Sequence, residues 1–145
     1  MRAILDTNTL ISMVLSSNES SSTMWRLFQY AVSGDFQPVL LEEVEDEFLR
    51  VVDSKPYLQR VIGPVLANQF IQQLREISHL VARIELPAWV FARDPQDDFL
   101  IAYALIFDID YIVTGDKDLL VLQSLIERIV SPAEFLELIE ASKSR

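Results

Sequence analysis

The chain reads as an α/β protein, a three-layer α/β/α sandwich around a central parallel sheet of four to five short strands. Three observations predict this. Short apolar runs alternate with longer stretches of helical periodicity in a repeated strand–helix order. The strand-like runs lack polar alternation, as strands covered on both faces do. Three glycines and six prolines punctuate the chain between these runs. At 145 residues, the length suits a single domain over 1–145 that buries roughly two-thirds of its unfolded surface. No internal repeat and no linker divides it.

The elements follow in order. Residues 3–5 form a short buried strand, and 9–15 the first helix. The polar stretch 16–22 (SSNESSS) is a loop. Thr23 is placed to cap a helix reaching residue 33, with Gly34 as its left-handed terminator. Residues 38–41 are the second strand. In 42–53, Val44, Phe48, Val51 and Val52 recur at helical spacing, and Lys55-Pro56 ends that helix. Leu66, Phe70, Ile71, Leu74 and Ile77 mark an amphipathic helix over 64–78, at whose end His79 falls. Residues 80–84 are strand-like, and 87–95 a loop carrying Trp89 and Phe91. The 98–107 stretch is apolar nearly all round and predicts a deeply buried helix. A strand at 111–114, a helix at 117–125, a strand at 128–130 and a closing helix at 132–142 complete the chain. Proline opens that last helix at its first position. Met24, Trp25 and Phe28, at helical spacing, face the core or a partner groove.

Composition excludes several chemistries. Cysteine is absent and His79 is the only histidine, which removes disulfides, thiolate metal sites, cysteine nucleophiles and His-pair acid–base catalysis. The lack of cysteine suits a reducing cytoplasm. The residues after Met1 meet an acid at Asp6, too soon for a signal-peptide core, and the longest apolar run, 99–107, is half a membrane span. No membrane association is expected. Twenty-two acids against twelve bases leave a net charge of −10, which opposes an unaided grip on nucleic acid. Divalent cations would offset that deficit at two charges each.

Ligands of open parallel sheets gather beyond the carboxyl ends of the strands. Four acidic clusters fall there: Asp6-Thr7-Asn8, the helix with Glu42, Glu43, Glu45, Asp46 and Glu47, the run Asp94 to Asp98, and Gly115-Asp116-Lys117-Asp118. Two carboxylates ~4 Å apart repel by about 4 kcal/mol at an effective dielectric of 20. Protonation or a bound cation relieves such crowding, and an all-oxygen donor set suits Mg²⁺ or Mn²⁺. Each acid also has a structural role open to it. Asp6, Asp98 and Asp116 suit helix N-caps, and the acidic helix a solvated face.

These residues resemble a known family. Ile4-Leu5-Asp6-Thr7-Asn8 resembles the opening motif of PIN domains (PilT N-terminus-like), which are metal-dependent ribonucleases. Asp97-Asp98-Phe99-Leu100-Ile101-Ala102 resembles the third acidic motif, and the run from Tyr111 through Thr114-Gly115-Asp116-Lys117-Asp118 to Leu120 the fourth. In Glu42 to Phe48, spacing to the following apolar residues points to Glu47 as the family glutamate. The likeness extends to Ser131-Pro132-Ala133-Glu134-Phe135, and is nearest to VapC-like toxins of type II toxin–antitoxin pairs. Thr9 departs from the apolar residue usual after Asn8.

The resemblance implies hydrolysis of RNA phosphodiesters, with Asp6, Glu47, Asp98 and Asp116 catalytic and holding one or two Mg²⁺ or Mn²⁺ ions. Asn8, Thr114, Asp97 and Asp118 would support them. Asp97 rivals Asp98, whose offset to Ala102 fits the family better. Arg50, Lys55, Arg93 and Lys117, the bases nearest these acids in sequence, are candidates for RNA phosphate contact, and Trp89 and Phe91 for base stacking or a core or dimer contact. The implied substrate is single-stranded or looped RNA, and the implied partners are a small antitoxin and a second copy of the chain. A haloacid-dehalogenase reading needs a second aspartate where Asn8 stands. A receiver-domain reading lacks its paired acids, and nucleotide-binding glycine motifs are absent. The alternative is a PIN-fold module that binds RNA or protein without cutting.

Overall fold

The computed structural model describes the backbone of residues 1–86 and 95–144 and the side chains of 1–86 and 99–144. Five strands form one fully parallel sheet: β1 (Arg2–Leu5), β2 (Gln37–Leu41), β3 (His79–Val81), β4 (Tyr111–Val113) and β5 (Ile129–Val130). Their order across the sheet is β3-β2-β1-β4-β5. The chain therefore winds outward from β1 in one direction and then in the other, and the reversal lies between β1 and β4. Ala3 pairs with Pro38 on one side and Tyr111 on the other. The predicted parallel three-layer architecture is the one observed.

Helices α1 (Thr7–Leu15), α2 (Thr23–Val32), α3 (Glu42–Ser54), α4 (Pro56–Val61), α5 (Gly63–Ile77), α6 (Pro95–Ile106), α7 (Lys117–Leu120) and α8 (Pro132–Lys143) complete the described elements. Helix α1 packs on α2 and α3, α3 on α4 and α5, and α2 on α8, while α6 lies on β4 and α7 by β5. Ile4, Leu41, Ile112 and Phe135 are among the fully buried core side chains. Phe28, Phe48 and Phe70 form an aromatic chain, with Phe70 5.4 Å from Phe28 and 5.6 Å from Phe48. Phe28 is thus core, with Met24 and Trp25 packed half-buried against it.

Several boundaries differ from expectation, each for a local reason. Helix α1 starts two residues early because Asp6 caps it. Ser22, not Thr23, caps α2: its backbone is extended and its hydroxyl accepts the Trp25 N–H at 3.1 Å. Gly34 takes the left-handed conformation expected of it, with φ +80°. Pro56 both ends α3 and opens α4 at its first position, a helix the sequence reading leaves out. His79 starts β3 rather than ending α5, and β3 stops at Val81. The strand cannot run to residue 84, because the Arg83 and Ile84 N–H groups donate to the Glu42 carboxylate and the Tyr103 hydroxyl. As an edge strand it also leaves His79 and Leu80 exposed. Helix α6 begins at Pro95, and its final turn is only partly covered, with Leu105 and Ile106 about half exposed. After α7, the N–H groups of Leu122, Gln123 and Leu125 bond three residues back, so 121–125 forms tight turns instead of continuing the helix. The predicted loop residues Trp89, Phe91 and Arg93 lie outside the described residues.

Candidate metal and phosphodiester site

Asp6 follows directly from β1, at the point where the strand order reverses. Its side chain is only 7% exposed, and both of its oxygens are engaged. Oδ1 accepts the Thr9 N–H at 2.8 Å, capping α1, and Oδ2 accepts the Thr114 hydroxyl at 2.5 Å. The Asp6 N–H donates to the Val113 carbonyl at 3.3 Å, so the β1 and β4 ends are stitched together at this residue. Thr9, the residue that departs from the family pattern, is fully buried and turns its hydroxyl to the same Val113 carbonyl. Its polarity is therefore used, and α1 packs without disturbance.

Thr114 also accepts the Asp116 N–H at 3.0 Å, which sets the turn leading into α7. Asp116 caps that helix through Oδ1, which takes the Asp118 N–H at 2.9 Å. Capping roles open to Asp6 and Asp116 are thus realised, and both side chains still line a common cleft. Glu47 joins them from the second turn of α3. The cleft has a volume of about 100 Å³, space for several waters or a hydrated ion and too little for a folded ligand. Thr7 and Asn8 contribute to its polar wall, and Val44, Phe99, Leu100 and Leu119 form the apolar side. Thr7 has no role in the sequence reading, although its place between Asp6 and Asn8 signals one.

The other four acids of the 42–47 run are engaged elsewhere. Glu45 holds the Arg75 guanidinium with both oxygens, at 3.0 and 2.7 Å. Glu42 accepts the Arg83 N–H at 2.8 Å, and Asp46 takes the Arg83 guanidinium at 2.9 Å. That contact with Asp46 raises the already high Arg83 pKa further. Glu43 accepts the hydroxyl of fully buried Tyr103, whose oxygen in turn accepts the Ile84 N–H at 3.1 Å. Burial, and next the bond to Glu43, push the Tyr103 phenol up to about 12. Three of the five acids thus fasten the stretch after β3, and Glu45 fastens α5. Of the five acids in 42–47, Glu47 alone has no hydrogen-bond or ion-pair partner among the described residues. Sequence reasoning missed this sorting, because Arg75, Arg83 and Tyr103 lie far along the chain.

Other expected site residues are distributed as follows. Asn8 is exposed at the cleft mouth, and the exposed Asp118 contributes its backbone N–H to Asp116. Arg50, Lys55 and Lys117 are exposed and stand outside the cleft lining. Asp97 and Asp98 belong to the first turn of α6, and their side chains, like Arg93, lie outside the described residues. The donor chemistry of Asp6, Glu47 and Asp116 fits a hard divalent ion: all carboxylate, with Oδ2 of Asp116 and both Glu47 oxygens unbonded among the described residues. Among those residues, no group of three or more acids or histidines stands close enough to grip one ion. No helix among the described residues is long and apolar enough to cross a membrane.

Comparison with known proteins agrees with the fold. The crystal structure of PAE2754 from Pyrobaculum aerophilum superposes with a TM-score of 0.63, covering 97% of this chain and 90% of that one. At 13% sequence identity the likeness is one of fold. No curated protein matches the chain. A family profile described as "PIN domain" matches residues 2–118, a span that runs from β1 to α7 and includes Asp6, Glu47, Asp98 and Asp116. The chain belongs to the PIN-domain family, whose members are generally nucleases that use divalent metal.

Proposed function

We propose that the protein is a metal-dependent endoribonuclease, the toxin of a toxin–antitoxin pair, acting in the cytoplasm as a single-domain chain. One observation carries the nuclease reading: Asp6, Glu47 and Asp116, distant in sequence, line one small cleft at the strand-order reversal, and of the five acids in 42–47 only Glu47 lacks another partner among the described residues. Asp6, Glu47, Asp98 and Asp116 would hold one or two Mg²⁺ or Mn²⁺ ions. When bound, a divalent ion supplies positive charge to the scissile phosphate and lowers the pKa of the attacking water. The chain's own residues prepare that site. Thr9 and Thr114 fix both Asp6 oxygens in orientation, and the Asp118 N–H fixes one oxygen of Asp116. The apolar wall of Val44, Phe99 and Leu100 limits water on one side, which strengthens electrostatic contacts inside the cleft.

RNA contact falls to the bases that no acid occupies. Arg26, Arg75, Arg83, Arg128 and Lys143 are paired with carboxylates. Arg50 and Lys55 are not paired among the described residues, nor is Arg60, and the three fall within thirteen residues beyond Glu47 along α3 and α4. Tyr57, 58% exposed between them, offers a face for base stacking. Lys117 and Arg93 complete the proposed phosphate contacts. A small antitoxin and a second copy of the chain are the proposed protein partners.

The test is cleavage of end-labelled single-stranded RNA with Mn²⁺, with EDTA, and by Asp6→Asn and Glu47→Gln variants. Cleavage that needs metal and both acids supports the reading. Equal cleavage in every arm marks a contaminant, and RNA binding without cleavage in any arm favours the silent binding module.

A further inference from the structure

Away from the cleft, β5 and α8 border a groove of about 580 Å³, several times the volume of the acidic cleft. Tyr111, Val130 and Leu138 give it an apolar floor, and Glu127, Glu134 and Glu137 a rim of one charge sign. The 121–125 turns, which contribute Gln123 to the groove, carry the two most exposed large apolar side chains among the described residues, Leu125 at 81% and Val121 at 72%. An uncovered apolar surface of this kind, bounded by charge, is the usual form of a protein interaction site.

The charge selects the partner. Glu134 is held below the usual carboxylate range by the Ser131 N–H and then by Gln123, so it is ionised at neutral pH. Glu127 and Glu137 have no partner among the described residues. Arg128, the adjoining cation, is turned away to the Ile109 carbonyl at 2.6 Å and to Asp108. Three carboxylates around an apolar floor repel nucleic acid and attract lysine and arginine.

We infer that the β5–α8 groove docks a basic amphipathic segment of another protein, its apolar side chains against Tyr111, Val130 and Leu138 and its cations against the glutamate rim. The inference stands apart from the nuclease reading and survives its failure.

The probe is a short amphipathic leucine–lysine peptide, with a leucine–glutamate peptide of the same length as comparison, titrated into ¹⁵N-labelled full chain. Expected are amide shifts at Tyr111, Val130, Leu138 and Ala141 with the lysine peptide alone. Affinity should fall at least about tenfold in Glu127→Lys/Glu137→Lys. It should change less than about twofold in Glu19→Lys/Glu76→Lys, which alters net charge equally at exposed sites elsewhere. Leu138→Asp should abolish the shifts, with circular dichroism checking its fold. Glu127→Gln/Glu137→Gln gives the same reading by charge removal alone. Absence of binding, shifts centred elsewhere, or equal weakening in the two lysine pairs overturns the proposal. A dimer in sedimentation that Leu138→Asp dissociates would assign the groove to a second copy and overturn it as well.

Discussion

Helix α3 carries two populations of acid within six residues. Glu42, Glu43, Glu45 and Asp46 are occupied by Arg75, Arg83 and Tyr103, and they fasten neighbouring segments to the helix. Glu47 lines the cleft with Asp6 and Asp116. Residue type and helix are the same, and the difference lies entirely in what the fold sets opposite each side chain. A carboxylate facing a guanidinium is neutralised within the chain. Glu47 lines a cleft with two further acids and has no partner among the described residues.

The sharpest way to break this comparison is at Asp6. Asn caps helices as well as Asp, so Asp6→Asn keeps the α1 cap, removes the charge and puts an amide donor where Oδ2 accepts the Thr114 hydroxyl. Cleavage of labelled RNA per folded molecule should fall at least about a hundredfold, a loss of the size that removing one preorganised catalytic group causes. Asp46→Asn, the matching change on the fastening side, should leave cleavage within about twofold. Next in size, Glu47→Gln should lower cleavage by about ten- to a hundredfold. Glu45→Gln should leave the rate unchanged and shift stability by less than about 1 kcal/mol, because its Arg75 pair is partly solvated. Equal loss from Glu45→Gln and Glu47→Gln would erase the distinction.

A stability measurement reports on the fastening side. Tyr103→Phe leaves the Glu43 carboxylate and the Ile84 N–H without their shared partner. It should lower the urea-derived stability by about 1–3 kcal/mol, while activity per folded molecule is retained. The smallest effect is read against alkali. A phenol near 10 in the unfolded chain and about 12 in the folded one holds its proton more tightly when folded. Its contribution is whole below pH 10 and lost as the pH rises to 12. Absorbance titration should show one tyrosine ionising last, and Tyr103→Phe should remove that step.

Much of the fold was legible in the sequence. All five strands announce themselves as short apolar runs between breakers, and the β1 and β4 junctions mark Asp6 and Asp116 as residues at a sheet edge where sites form. Errors arise where one residue serves two elements or where bonds come from afar. Pro56 stops one helix and starts the next, so the stop hides the start. Leu119, Leu120 and Leu122 are apolar enough to suggest a helix to residue 125, and their backbone bonds close tighter turns instead. The sorting of α3's acids depends on partners 30 to 60 residues away, which no local pattern contains. Spacing still favoured Glu47 among its neighbours, and the structure places it in the cleft.

The bond between Thr114 and Asp6 spans 108 positions of the chain, and this carries a consequence for biosynthesis. β1, at the centre of the sheet, gains its second neighbour only once residues 111–113 have been polymerised and have left the ribosome. Until then Asp6 lacks its hydroxyl donor, and the acids that line the cleft have no common wall. The cleft is therefore assembled late, when most of the polypeptide has already been made.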